Sequence, residues 1–141
     1  MPLAPADMLC FSLYSAQHAM QAAYKPLLDP LGLTYPQYLV LAALWSQDDQ
    51  TVGALGSQVA LETNTLTPLL KRMEAAGLVN RRRDAGDERQ VRIRLAPGGA
   101  AMQARAAHVP GCFLAATGLT VPEAAVLRDT LQGLRDRMKP R

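Results

Sequence analysis

Apolar residues recur at helical spacing near the start of the chain. They fall at steps of three and four, along one side of a helix, at Leu9, Leu13, Ala16 and Met20. Asp7 is placed to cap this helix, which the pattern carries to about Lys25. Pro26, Pro30 and Gly32 then interrupt the pattern, so the sequence predicts that the first helix ends there.

Three shorter helices are predicted next, each after a residue that suits a helix start or a turn. The capping-box pattern Thr34–Gln37, with a proline in its first turn, opens a second helix that runs through Trp45. Thr51 is placed to cap a short third helix. A turn near Glu62 leads to a fourth helix, which Gly77 ends.

The predicted fourth helix has two contrasting sides. Its apolar side faces a core through Leu66, Leu69, Leu70 and Met73. The opposite side and its flanks carry residues that suit DNA bases and phosphates, namely Asn64, Thr65, Thr67, Pro68, Lys71 and Arg72. Pro68 lacks the N–H of a helical hydrogen bond, so an irregular helix start is expected if Thr63 is the cap.

A β-hairpin is predicted after the fourth helix. Along QVRIRL, the apolar residues Val91, Ile93 and Leu95 alternate with polar residues at a period of two. LVNRRR precedes this strand, and the intervening DAGDER contains Gly86, which permits a turn. A compact helix followed by a basic hairpin is typical of a winged helix-turn-helix, which indicates double-stranded DNA as a partner.

Helices are predicted again after the hairpin. Pro97 opens a fifth helix to about Ala107, which Pro110 and Gly111 break or kink, and Cys112 to Ala116 can resume it. Thr120–Glu123 is a second capping box and opens a last helix to about Met138. The expected order is three helices, a recognition-type helix, a hairpin and two long helices, which is a mainly α fold with a small β-hairpin wing.

A length of 141 residues and a hydrophobic content of 49% suit a single domain with a real core. Residues 34–97 form its predicted winged helix-turn-helix part. Residues 1–33 and 98–141 are predicted to build a homodimer, because their apolar helices flank that part and two-fold proteins read two half-sites on DNA. The alternative is that these helices close the core of a monomer.

The positive charge of the chain is concentrated in the hairpin. Residues 62–95 contain eight basic and five acidic residues, an excess equal to the net charge of +3 of the whole chain. Six arginines lie between Arg81 and Arg94, and such a patch attracts polyanions.

Three of these arginines are predicted DNA contacts. Arg89 lies at the hairpin tip, where an arginine suits a narrow minor groove. Arg92 and Arg94 share one face of their strand. The alternative is a solvated face in which the acidic residues of the turn pair with the arginines.

Signals for other classes of protein are lacking. No run of about eighteen apolar residues predicts a membrane span, and MPLAPADML lacks the features of a signal peptide, so a soluble cytoplasmic protein is expected. Cys10 and Cys112 lie far apart, and the two histidines add no cluster, so neither a metal nor a cofactor is predicted.

The chain resembles the MarR family of winged helix-turn-helix repressors. The stretch TVGALGSQVALETNTLTPLLKRMEAAGLVNRRRDAGDERQVRIRLAPGG carries the likeness, and Asp87-x-Arg89 matches the wing signature of that family. LCFSLYSA, YKPLL, LGLTYPQYLVL and TLTPLLKRMEAAGLV are similar to the organic hydroperoxide resistance branch. The resemblance implies a homodimer on a palindromic operator, an organic hydroperoxide as oxidant, Cys10 as the sensor, and Tyr24 and Tyr35 as hydrogen-bond donors to its sulfur.

The residues themselves support part of this role for Cys10. Cys10, Tyr14, Gln17, Gln21 and Tyr24 form one stripe of the first helix, and a tyrosine hydroxyl can donate a hydrogen bond to a thiolate. A lone helical cysteine is, however, more often an inert apolar residue. Tyr24 follows Cys10 by fourteen residues, roughly 21 Å of helix, so it can meet a Cys10 sulfur only across a dimer.

The second cysteine resembles the resolving cysteine of the two-cysteine members of this branch. HVPGCFLAATGLT is similar to the region that holds it, which implies an intersubunit disulfide between Cys10 and Cys112 after oxidation. The alternative is a buried Cys112 beside Phe113 and Leu114.

The sequence therefore predicts a transcriptional repressor that releases its operator when Cys10 is oxidised. A second reading is a repressor released by a phenolic or aromatic ligand, in a pocket between the first two helices lined by Tyr24, Tyr35 and Trp45. A third is a thiol peroxidase, which the arginine hairpin disfavours, as does the lack of a nearby basic residue for the leaving alkoxide.

Overall fold

The computed structural model describes residues 2–140, which form seven α-helices and one small antiparallel sheet. The helices are α1 (Leu9–Leu28), α2 (Tyr35–Ser46), α3 (Val52–Val59), α4 (Thr63–Ala75), α5 (Pro97–Arg105), α6 (Val109–Thr117) and α7 (Val121–Met138). The strands are β1 (Gln50–Thr51), β2 (Val79–Arg83) and β3 (Val91–Leu95), in the order β1-β3-β2. This architecture confirms the predicted mainly α fold with a hairpin wing.

The chain divides into two compact units. One unit is Tyr24–Ala107, and the other combines the chain up to Ala23 with the chain from His108 onward. The predicted DNA-binding part, 34–97, lies inside the first of these. Among the described residues, all buried apolar side chains except Val109 belong to the unit Tyr24–Ala107, so the core of the protein is the core of that unit.

Helix α4 packs on this core through the predicted face. Leu66, Leu69, Leu70 and Met73 are all buried. The helix ends in a Schellman motif, in which Leu78 N–H donates to Met73 O at 2.9 Å and Gly77 has a φ of 76°. Its N-cap is Glu62 rather than Thr63.

Three of the predicted N-caps, at Thr34, Thr51 and Thr120, are observed. Thr34 and Thr120 each form a complete capping box, with Gln37 and Glu123 respectively. Thr51 Oγ1 accepts from Ala54 N–H at 3.1 Å at the start of α3. Each cap pairs backbone N–H groups that would otherwise lack a partner within the helix.

Two predictions for the first helix are wrong. Helix α1 does not end near Lys25 but continues through Pro26 to Leu28, which is only 2% exposed. Burial of the Leu28 side chain favours this last turn and offsets the single hydrogen bond that the proline removes. Asp7 ends a 3-10 turn, Pro5–Asp7, and is separated from α1 by a residue, so it is not the cap.

The region after the hairpin holds three helices instead of two long ones, because the expected break lies just before Pro110 and the helix resumes as α6, which includes Cys112 to Ala116. Helices α5 and α6 have nine residues each, and α7 has eighteen. Pro110 lies in the first turn of α6, where the missing N–H has no helical partner to lose. The proline therefore begins a helix here.

Strand β1 was not predicted. Gln50 pairs with Ile93 and Thr51 with Arg92, which adds a third strand beside the hairpin. The Gln50 side chain is buried and donates to Gln47 O at 2.6 Å and Ala43 O at 3.2 Å. It thereby joins the end of α2 to the sheet.

A close backbone contact joins α5 to the turn between α4 and β2. A Cβ atom at Gly99 would lie 2.0 Å from Leu78 O, so only glycine fits. Trp45 Nε1–H donates to Gly99 O at 2.9 Å from the side of α2. These contacts hold the base of the hairpin against two helices of the unit Tyr24–Ala107.

No single helix within residues 2–140 is long and apolar enough to cross a membrane. Helices α6 and α7 meet that criterion only as a pair, and the pair is bent by 86°.

Candidate nucleic-acid interface and thiol sites

The outer side of α4 presents the predicted DNA-binding residues to solvent. Of these residues, Asn64, Thr65, Pro68, Lys71 and Arg72 are exposed and Thr67 is half-buried. Pro68 has no N–H, so the carbonyl of Asn64 lacks its usual helical partner on this exposed side. The surface therefore combines small polar groups near the helix N-terminus with two cations further along.

The wing, defined as β2, β3 and residues 84–90 between them, carries its arginines on two faces. Arg82 pairs directly with Arg92, and Asn80 with Arg94, so three arginines share one face. Like charges placed opposite each other in a sheet repel. The carboxylates around Arg92 offset this repulsion.

Arg92 is held by two aspartates, and each of its three guanidinium nitrogens donates a hydrogen bond. Nε donates to Asp49 Oδ1 and Nη2 to Asp49 O, both at 2.8 Å. Nη1 donates to Asp84 Oδ1 at 3.2 Å. Asp49 Oδ2 also accepts from Arg94 Nη2 at 3.0 Å. We call these four residues the Asp49 network.

The charge of the arginines stabilises the ionised form of Asp49. Hydrogen bonds from Arg92 and then Arg94 lower the pKa of its carboxyl. Asp49 has a φ of 59°, a left-handed conformation uncommon outside glycine but tolerated by aspartate. Sequence reasoning missed Asp49, because it lies 43 residues before Arg92 in a turn without a recognisable pattern.

The loop at the wing tip is built on Asp84 and not on Gly86. Asp84 Oδ2 accepts from the N–H groups of Gly86 and Asp87, at 3.1 and 2.9 Å, and Gly86 does not adopt a positive φ. Asp87 Oδ1 in turn accepts from Arg89 N–H and Arg89 Nε, both at 3.1 Å. The Arg89 side chain remains 90% exposed at the tip.

The remaining wing arginines differ in their partners. Arg81 pairs with Glu74 of α4 at 3.2 Å, which lowers the pKa of that glutamate. Arg82 and Arg83 are exposed and have no ion pair within residues 2–140, although Arg83 Nη1 donates to Glu88 O at 2.9 Å. These two side chains were not among the predicted DNA contacts. The alternation of residues along β3 does not fix the register with β2, so the position of Arg82 opposite Arg92 is known only from the structure.

Tyr24 and Tyr35 lie together within the unit Tyr24–Ala107, with ring centroids 4.8 Å apart. Tyr38 lies 6.0 Å from Tyr24 and completes what we call the tyrosine cluster. Burial, and then the neighbouring Tyr35 and Tyr38, raise the pKa of Tyr24 to about 12. Burial likewise raises the pKa values of Tyr35 and Tyr38. All three phenols are therefore neutral hydrogen-bond donors near pH 7.

Both thiols lie in the other unit and are free and exposed. Cys10 lies in the first turn of α1, on the stripe that carries Tyr14, whose ring contacts that of His18 at a tilt of 45° with centroids 4.3 Å apart. Cys112 lies on α6. Because its side chain is exposed, the alternative of a buried Cys112 is wrong for the single chain. An exposed thiol is open to reaction with a small oxidant.

The same unit exposes large apolar side chains. Among the described residues, every large apolar side chain that is exposed lies between positions 3 and 20 or between 121 and 138. Leu9 and Val126 are 66% and 68% exposed. An open groove of about 470 Å³ on α7 is lined by Leu119, Pro122, Val126 and Leu127, among others. These apolar side chains of α1 and α7 are therefore exposed in the single chain.

Comparison with known proteins places this arrangement among transcriptional regulators. Over 132 residues the chain is 42% identical to the organic hydroperoxide resistance transcriptional regulator of Bacillus subtilis, covering 94% of this chain and 90% of that one. It is 44% identical over 135 residues to the HTH-type transcriptional regulator TtmR of Methylorubrum extorquens, covering 96% of this chain and 69% of that one.

A solved structure and a family model agree with this placement. Reduced AbfR bound to DNA, a protein of Staphylococcus epidermidis, superposes with a TM-score of 0.81 and 34% identity over 95% of this chain and 94% of that one. AbfR has also been solved overoxidized on DNA and in a disulfide form. Residues 22–101 match the model of the SarA/Rot transcriptional regulators. The chain therefore belongs to the SarA/Rot-type regulators of the MarR family, a family of DNA-binding transcriptional regulators and not of enzymes.

Proposed function

We propose that this regulator is a homodimeric repressor that releases a palindromic operator when an organic hydroperoxide oxidises Cys10. The observation that carries the proposal is the exposed thiol of Cys10 on α1, a helix whose apolar side chains are uncovered in the single chain. Likeness over nearly the whole length to a regulator of organic hydroperoxide resistance supports the choice of oxidant.

The chemical step is a two-electron oxidation of the sulfur. The Cys10 thiolate attacks the distal oxygen of the hydroperoxide, an S–O bond forms and the O–O bond breaks. The products are a sulfenic acid and, after the alkoxide takes up a proton, an alcohol. The hydroperoxide is reduced by the two electrons that the sulfur loses.

The tyrosine cluster is the proposed source of hydrogen bonds to this sulfur. The rings of Tyr24 and Tyr35 contact each other, and the raised pKa values of both phenols keep the hydroxyls neutral and able to donate hydrogen bonds. Since fourteen helical residues, roughly 21 Å, separate Cys10 from Tyr24 along α1, we assign the donors to the partner subunit. The proposed sensor is then an intersubunit site.

The uncovered helices support the dimer. Exposed apolar side chains include Leu9, Leu13 and Val126. Burying them against a second copy is favourable, because each Å² of apolar surface removed from water lowers the free energy by about 25 cal/mol. A two-fold dimer presents two α4 helices and two wings. Two-fold proteins read half-sites about one helical turn of DNA apart.

The DNA contacts are assigned to α4 and the wing. The exposed polar residues of α4 suit the major groove, and Lys71 and Arg72 suit phosphates. Arg89 at the wing tip suits the minor groove. Arg94 retains 46% exposure and can still reach a phosphate, whereas the guanidinium of Arg92 is occupied by Asp49 and Asp84.

Cys112 is the proposed resolving residue. Its thiol attacks the Cys10 sulfenic acid of the partner subunit, a disulfide forms and water leaves, so the atoms balance without a further reagent. The exposure of Cys112 supports this role, as does the existence of a disulfide form of AbfR. Since overoxidized AbfR was solved on DNA, we assign release in this chain to the disulfide and not to the charge of an oxidised sulfur.

Gel electrophoresis without reductant tests the disulfide. After treatment with cumene hydroperoxide, the wild-type protein is expected to run as a covalent dimer, and Cys10→Ser and Cys112→Ser as monomers. Dithiothreitol must convert the dimer band back to monomer. A dimer band that persists in Cys112→Ser would remove Cys112 from the resolving role.

The alternative of a phenolic ligand in the tyrosine cluster is less well supported. The rings of Tyr24 and Tyr35 already contact each other at 4.8 Å between centroids, so no aromatic ligand fits between them without separating them. Trp45 is engaged as well, because its Nε1–H donates to Gly99 O.

A further inference from the structure

We infer that Asp49 is a positioning residue for DNA recognition, which acts through Arg92 and Asp84 to hold Arg89 in place at the wing tip. The inference rests on the proposed contact of Arg89 with DNA. It assigns a role in operator discrimination to a residue that lies in the turn between α2 and β1, outside the wing.

The turn that carries Asp49 is clamped to the sheet. Asp48 Oδ1 accepts from Asp49 N–H at 2.8 Å and from Leu95 N–H at 2.9 Å, so one carboxylate ties the turn to the end of β3. Asp49 itself adopts its left-handed conformation in this clamp. The hydrogen bonds of Asp48 therefore hold the backbone of Asp49 in place beside the wing.

Arg92 carries the restraint from this turn to the tip loop. Two of its nitrogens bind Asp49 and the third binds Asp84, so the planar guanidinium has one orientation that satisfies all three hydrogen bonds. The partially exposed side chains, 32% for Arg92 and 20% for Asp84, limit competition from water.

Asp84 connects Arg92 to Arg89 through hydrogen bonds of the tip loop. While Oδ1 binds Arg92, Oδ2 accepts from the N–H groups of Gly86 and Asp87 and so shapes the loop. Asp87 then holds both the backbone and the side chain of Arg89. Every link of this series lies within the unit Tyr24–Ala107.

Positioning and simple electrostatics predict opposite results when the carboxylate of Asp49 is removed. Loss of a negative charge beside Arg92 and Arg94 leaves more positive potential at the wing, which alone would tighten binding to any DNA. If Asp49 positions Arg89, the same change weakens binding to the operator, because the tip arginine no longer meets the groove in one orientation.

The test measures binding of full-length variants to two duplexes by fluorescence anisotropy at fixed salt. One duplex is selected by the wild-type protein from a random-sequence library, and the other is a shuffled duplex of equal composition. Asp49→Asn keeps the shape and the left-handed backbone, while Arg92→Lys keeps the charge and loses the three-way hydrogen bonding. Asp136→Asn on α7 removes an equal charge and serves as the control.

We expect Asp49→Asn and Arg92→Lys each to weaken binding to the selected duplex by about five- to twentyfold. Binding to the shuffled duplex stays equal or tightens, and Asp136→Asn behaves as wild type. In an Arg89→Ala background, Asp49→Asn is expected to add less than about a twofold loss, because the residue that it positions is gone. Thermal unfolding of each variant verifies that it is folded.

Several outcomes separate this inference from the function on which it rests. Wild-type protein that selects no duplex, or Arg89→Ala that binds as wild type, contradicts the proposed DNA contact. If Arg89→Ala weakens binding but Asp49→Asn or Arg92→Lys does not, only the positioning role is overturned. Losses from Asp49→Asn and Arg89→Ala that multiply in the double variant overturn it as well.

Discussion

Tyr24 is partly buried in the tyrosine cluster and is a proposed hydrogen-bond donor to the sulfur of Cys10. Its raised pKa keeps the phenol protonated, and its ring contacts both Tyr35 and Tyr38. Replacing Tyr24 by Phe keeps the ring packing and removes the hydroxyl. We expect Tyr24→Phe to slow oxidation of Cys10 by about tenfold or more, as for loss of a charge-assisted hydrogen bond, with reduced-state DNA affinity unchanged.

The rate is measured by trapping the sulfenic acid with dimedone and following the mass of the Cys10 peptide over time. Tyr14→Phe is the control, because Tyr14 is a tyrosine of the same stripe outside the tyrosine cluster. Equal labelling rates for wild type and Tyr24→Phe would remove the Tyr24 hydroxyl from the sensor.

The tyrosine cluster also predicts how stability depends on pH. The pKa of Tyr24 is raised in the folded chain from 10.0 to about 12, so the folded state holds its proton more tightly than the unfolded state. This contribution is complete below pH 10 and is lost as pH rises through about 12. Urea unfolding at pH 8 and pH 11 is expected to show a smaller loss of stability for Tyr24→Phe than for wild type. An identical loss in both proteins would contradict the raised pKa.

At the scale of elements, the start of α5 depends on a glycine that no side chain can replace. A Cβ at Gly99 would lie 2.0 Å from Leu78 O, a backbone atom that cannot move aside. Gly99→Ala is therefore expected to lower the free energy of unfolding by about 1–3 kcal/mol. Gly53→Ala on α3 is the matched control, since its Cβ meets nothing within 4 Å and alanine favours a helix. Urea denaturation compares the two, and equal stabilities would contradict the close contact.

On helix α4, Lys71 is expected to contribute to the affinity for any DNA duplex and not to the choice of sequence. Lys71 is exposed on its outer side, further along the helix than the small polar residues. Lys71→Ala is expected to weaken binding to selected and shuffled duplexes alike and to reduce the slope of log affinity against log salt by about 1. A loss confined to the selected duplex would mean that Lys71 reads bases.

The sequence predicted those elements whose signals are local. These are the capping boxes at Thr34 and Thr120, the apolar face of α4 and the alternation along β3, and all are observed. Each of these patterns spans only a few neighbouring residues of the sequence. The extension of α1 past Pro26 was not predictable in this way, because the burial of Leu28, which favours the last turn, has no local signal in the sequence. The same is true of the site: the arginines were evident, but the pairing of Arg92 with Asp49 depends on a turn 43 residues away.

At the scale of the whole molecule, the uncovered helices predict a dimer in solution. Sedimentation equilibrium of the wild-type protein at micromolar concentration is expected to give twice the chain mass. Leu127→Asp should shift the equilibrium toward monomer, because it places a charge on the exposed apolar side of α7. Gln132→Asp adds the same charge at an exposed polar position of that helix and should not. A monomeric wild-type protein would contradict the dimer.

The central claim is that oxidation of Cys10 controls DNA binding. A gel-shift titration tests it directly, with a duplex selected by the reduced wild-type protein, with and without cumene hydroperoxide. Wild type is expected to release the duplex on oxidation and to bind again after dithiothreitol, whereas Cys10→Ser binds with or without peroxide. Release of the duplex by Cys10→Ser on peroxide treatment, or undiminished binding by oxidised wild type, would contradict the account.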